Sequence, residues 1–74
     1  MLTIHFVTSR HDDRPFEVMG YPGDSMFEAF AHALALFIDI KDEHPLTSGF
    51  IVCDEFGAVR RRWYKREEVS ATLL

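Results

Sequence analysis

One apolar segment constrains this chain more than any other feature. Between Met26 and Ile40 the only clearly polar side chains are Glu28, His32 and Asp39. At about 100° per residue these three fall on one narrow stripe of a helix. A helix lying on a single sheet buries only part of its circumference. The segment therefore demands a helix, a sheet beneath it, and something to meet the apolar surface left over. Its start is well marked. Pro22 and Gly23 form a turn, Ser25 with Glu28 matches a capping box, and Asp24 adds a charge that suits the positive end of the helix dipole. Pro45 and Gly49 suit a connection better than a helix, so the helix is expected from Met26 to Ile40.

Strand patterns flank the helix on both sides. "LTIHFVT" alternates, with Leu2, Ile4 and Phe6 pointing one way and Thr3, His5 and Val7 the other. "PFEVMGY" reads as a second strand, with Pro15 tolerated at its start. "FIVCD" is short and nearly all apolar, which suits a central strand. "DEFG" is a turn in which Gly57 can take positive φ, and "AVRRRWY" is the returning strand. The tail "KREEVSATLL" is read as a short C-terminal helix. The order β-β-α-β-β predicts one small α+β domain over residues 1–74. It is a two-layer sandwich: an antiparallel four-stranded sheet in the order 2-1-3-4, with the main helix on one face.

Seventy-four residues with ten aromatics can bury a modest core without metal or disulfide staples. The single cysteine, Cys53, has no internal partner, which fits a reducing compartment. The N-terminus lacks a basic region followed by a long apolar core, and the run Ala29 to Ile38 is too short to span a bilayer. A cytoplasmic location is the expectation, with no membrane partner. Charge is unevenly spread. Residues 1–57 carry ten acids and three bases, whereas residues 58–74 carry five bases and two acids.

Three surfaces are candidates for function. On α-helical spacing Phe27, Phe30, Leu34, Phe37 and Ile38 are expected to cover the sheet. Met26, Ala29, Ala33, Leu36 and Ile40 would then form an apolar flank that contacts another protein, most simply a second copy in a homodimer. The basic strip Arg60, Arg62, Trp63, Tyr64 and Arg66 reads three ways. It is a solvated edge strand with Val59 and Trp63 reaching the core, a single-strand nucleic-acid surface, or a contact for an acidic protein. The acids Asp12, Asp13, Glu17, Asp42, Glu43, Asp54 and Glu55 form a candidate acidic patch.

Catalytic chemistry finds little support. His5, His11, His32 and His44 include no close His–His or Cys–His pair, and the glycines build no phosphate loop. No catalytic residue, metal ligand, cofactor or small-molecule substrate is expected, and the chain reads as a non-enzyme. The expected function is a protein-binding module, a regulator or inhibitor acting through surface complementarity. An inhibitor of a host defence complex carried by a phage or mobile element, such as an anti-CRISPR, is one setting. The second reading is a small nucleic-acid-binding protein using residues 60–66.

Overall fold

Alternating residues pair into strands where the pattern predicts. The computed structural model describes residues 1–66. Its elements are β1 (Leu2–Val7), β2 (Glu17–Tyr21), α1 (Met26–Glu43), β3 (Gly49–Cys53) and β4 (Val59–Tyr64). The strands form one sheet in the order β2-β1-β3-β4, antiparallel at every pairing. This is the expected α+β arrangement. The short C-terminal helix expected in the tail lies outside the described residues. Among the described residues no helix is long and apolar enough to cross a membrane.

The core lies between α1 and one sheet face. Leu2, Ile4 and Phe6 of β1 and Phe50 and Val52 of β3 meet Ala29, Ala33, Phe37 and Ile40 of α1. Phe50 stacks on Trp63 at 5.4 Å, and Trp63 meets Phe37 edge-on at 4.9 Å. The other sheet face carries a smaller cluster of Val7, Ile51 and Cys53 beside Tyr64.

The helix is turned relative to expectation. Ala29 and Ala33 are fully buried and Ile40 nearly so, while Met26 and Leu36 pack partly buried against the same core. Phe27 and Ile38, expected on the sheet, are 80% and 66% exposed. The physical reason is volume. The sheet already supplies Phe6, Phe50 and Trp63, so a helix face of alanines lets the two layers approach closely without voids. The expected flank of Met26, Ala29, Ala33, Leu36 and Ile40 is therefore the inner side of α1.

Both helix ends are capped. The Ser25 side chain accepts from the Glu28 backbone N–H at 3.2 Å, which is the serine half of the expected capping box, while the Glu28 carboxylate accepts from the Tyr21 hydroxyl at 3.4 Å. At the other end α1 runs on through Lys41, Asp42 and Glu43, past the expected stop at Ile40. The His44 N–H donates to the Ile40 carbonyl at 2.7 Å, and Pro45 follows the cap, where no further helical N–H is needed. Thr47 closes the connection, its buried hydroxyl donating to the His44 carbonyl at 2.6 Å. Gly57 takes φ +82° in the β3–β4 turn. A bulge between Val52 and Cys53 brings Val59 opposite Cys53, out of step with Arg61. Val59 is 43% exposed as a result, and only Trp63 of the expected pair reaches the core.

Candidate functional site

The outer face of α1 is apolar along much of its length. Phe27, Ala31, Ala35 and Ile38 are all exposed and fall within about 80° of one another on the helical wheel. A helix on a sheet ordinarily turns charge outward at these positions. Here Glu28 and Asp39 occupy one margin of the stripe, and Asp42 falls in line with the stripe one turn beyond Ile38. Lys41 lies at the other margin near the C-terminal end, and toward the N-terminal end the Arg61 guanidinium sits 3.9 Å from the centre of the Phe30 ring.

The basic strip does not form one basic surface. Arg60 lies 3.7 Å from Asp54. Arg62 grips Asp13 with a two-pronged contact, Nη1 to Oδ1 at 2.5 Å and Nη2 to Oδ2 at 2.9 Å. The Arg62 hydrogen bond holds the Asp13 carboxyl below its usual range. Trp63 is stacked into the core, so its ring is not offered to a base. Tyr64 lies under Arg10, whose guanidinium carbon is 5.3 Å from the ring centre. Arg66 is exposed.

The expected acidic patch is divided. Asp54 and Glu55 lie at the end of the sheet where β1 begins, with Glu55 3.9 Å from the Met1 ammonium. Asp12, Asp13, Asp42 and Glu43 lie toward the opposite end, where β1 finishes, and Glu17 pairs opposite Phe6 near it. Several of these acids are engaged. Asp12 pairs with Arg14 at 3.1 Å, and Asp54 accepts from the backbone N–H of Phe56 and Ala58, both at 2.9 Å, to close its own turn.

A small notch sits where the β1–β2 loop meets the end of β4. Thr8, Ser9, Arg10, His11, Ser48, Tyr64 and Lys65 line about 170 Å³. Backbone bonds fix its walls. Lys65 N–H donates to the Ser48 carbonyl at 2.8 Å, and Ser48 N–H donates to the Val7 carbonyl at 2.8 Å. A shallower apolar groove of about 420 Å³ lies beside it, lined by Thr8, Phe16, Glu43, His44, Pro45 and Leu46.

On the second sheet face, burial shifts two titratable groups. Burial pushes the Cys53 thiol up, and neighbouring Asp54 pushes it the same way, so the thiol stays protonated. Burial lowers the His5 pKa, and its Nε2 lies 2.9 Å from Thr3 Oγ1. Among the described residues no three His, Cys, Asp or Glu side chains converge as a metal site would need.

Sequence reasoning anticipated an apolar surplus on the helix but put it on the wrong residues, and it missed the notch. Arg10 and Lys65 carry no local signal, because they stand far apart in the chain and only the β1–β3–β4 pairing unites them. Among the described residues, fold and surfaces together define a class: a small α+β domain with one helix on a four-stranded antiparallel sheet and an exposed apolar stripe on that helix. No family model matches the chain, and no curated protein or solved structure does either.

Proposed function

We propose that the chain is a protein-binding module whose docking surface is the outer face of α1, and that its occupant is a second copy of the chain. One observation carries this reading: Phe27 and Ile38 are 80% and 66% exposed, and only alanines and the half-buried Leu34 share the outer face between them. The stripe is self-complementary, with a large side chain at each end and small ones in the middle. An antiparallel two-fold pairing sets Phe27 against the partner's Ile38, and Ala31 and Ala35 let the helix axes come close. The same register brings Lys41, the single base of α1, opposite the partner's Asp24. It also brings Glu28 beside the partner's Asp39, so each attraction at the rim is matched by a repulsion, salt screens both, and the apolar stripe carries the pairing.

A single helix-on-helix contact falls at the low end of specific interfaces, below about 1,200 Å² in total. The expected affinity is therefore modest, with a dissociation constant on the order of micromolar to tens of micromolar. Sedimentation velocity over a concentration series tests the reading. Dimers are expected to form and to disappear in Phe27→Asp and Ile38→Glu. Both substitutions are on exposed positions and are expected to leave the far-ultraviolet circular dichroism unchanged. A chain that stays monomeric up to about 1 mM, or dimers that survive Ile38→Glu, overturns the reading.

The nucleic-acid reading keeps less support. It needs Trp63 or Tyr64 as a stacking platform, and one is in the core while the other is under Arg10. The inhibitor setting drew on size, charge and the acidic patch, and those acids lie toward two ends of the sheet with several already paired.

A further inference from the structure

We propose that the notch between the β1–β2 loop and the end of β4 is an oxyanion site that takes the terminal phosphate of a small ligand. Arg10 and Lys65 converge on the notch and no carboxylate lines it. Among the described residues neither cation lies within ion-pair distance of an acid, whereas nearby Arg14 and Arg62 are both paired.

The hydroxyls of the notch point the same way as its charge. The Ser9 Oγ accepts from the His11 backbone N–H at 3.1 Å, which leaves its own hydrogen free to donate. The Tyr64 hydroxyl accepts from Arg62 Nη1 at 3.4 Å and is likewise left with a free hydrogen. Ser48 differs: its hydroxyl donates to the Thr8 carbonyl at 2.8 Å and serves as wall rather than ligand. The notch thus offers two cations and two hydroxyl donors, which match a group whose oxygens only accept.

Size and shape narrow the class. About 170 Å³ corresponds to about six waters at about 30 Å³ each, room for one tetrahedral anion and its residual hydration. The donors approach from the β1–β2 loop and the end of β4. Such convergence suits the three free oxygens of a terminal phosphate better than the two of a bridging diester. Arg10 already lies over one face of the Tyr64 ring, which leaves that face to the guanidinium rather than to a base and disfavours a nucleic-acid strand as the source.

Amide-resolved NMR titration tests this with inorganic phosphate, a nucleoside 5′-monophosphate and a single-stranded oligonucleotide, each against chloride at matched ionic strength. Phosphate and the monophosphate are expected to shift the amides of residues 8–11, 48 and 65 saturably in the millimolar range. Arg10→Gln and Lys65→Gln are each expected to weaken binding about fivefold or more, with the rest of the spectrum in place. An absence of saturation overturns the proposal, as does an equal response to chloride or unchanged binding in the double variant. An oligonucleotide that binds more tightly than the monophosphate overturns it as well, because the site would then follow a strand rather than hold a terminus.

Discussion

Gly49 is the tightest point of the sheet. A Cβ there would collide with the Trp63 carbonyl oxygen and lie 2.7 Å from the Tyr64 Cα. Both atoms are backbone of the neighbouring strand and cannot swing aside. Gly49→Ala is therefore expected to push β3 and β4 apart and cost about 2–3 kcal/mol. Gly57 has nothing within 4 Å of its absent Cβ, and only its φ of +82° resists substitution. Gly57→Ala is expected to cost about 1 kcal/mol. Urea denaturation of the two variants checks the ranking, and Gly57→Ala proving the more damaging would refute the close-approach account. At this scale the sequence marked one glycine and not the other. "DEFG" announces a turn by itself, whereas the demand on Gly49 comes from a strand ten residues and more away.

The elements were legible in the chain because each one carries its own periodicity. The alternation of Leu2, Ile4 and Phe6, the apolar run through Cys53 and the Ser25–Glu28 cap fix three of them locally, and strand order follows from two hairpins and a right-handed crossover that carries α1 over the sheet and sets β3 beside β1. The rotation of α1 was not legible. Alanines and large side chains are both apolar, so the pattern around the helix is nearly degenerate, and the sheet's bulk breaks the tie. Phe50 and Trp63, distant in sequence, fill the volume that Phe27 and Ile38 would have taken. Substituting alanines on opposite sides of α1 tests this directly. Ala33 is fully buried, and Ala33→Leu is expected to destabilise the fold by about 2–3 kcal/mol through overpacking. Ala35 is exposed, and Ala35→Leu is expected to change stability by less than about 0.5 kcal/mol. Thermal or urea unfolding reads both. Equal costs would mean that the helix presents a different face to the sheet.

For the molecule as a whole, charge sets how stability depends on pH. His5 sits between Val18 and Ile51 in the sheet, and burial lowers its pKa below the usual value of about 6.5. The unfolded chain therefore takes up this proton before the folded chain does. The contribution of His5 is present above about pH 6.5 and is lost as pH falls through its folded value. Asp12, Asp13 and Asp54 are also depressed, chiefly by hydrogen bonds from the Arg14 side chain, the Arg62 side chain and the Ala58 backbone N–H respectively. Their contribution is present above the usual carboxylate value of about 3.9 and is lost as pH falls through their folded values. Two separate declines are expected on acidification, one beginning below about pH 6.5 and the other below about pH 4. Urea midpoints measured across this range for the native chain, His5→Gln and Asp13→Asn would resolve them. His5→Gln is expected to abolish the first decline and keep the second, while Asp13→Asn keeps the first and shrinks the second. The Asp12–Arg14 and Asp13–Arg62 pairs are solvent-exposed, so added salt is expected to flatten the second decline more than the first, which stems from burial rather than from a counter-charge. If His5→Gln instead followed the native curve through pH 5, the first decline would belong to some other group, and the apolar flanking by Val18 and Ile51 would not be what holds His5 neutral.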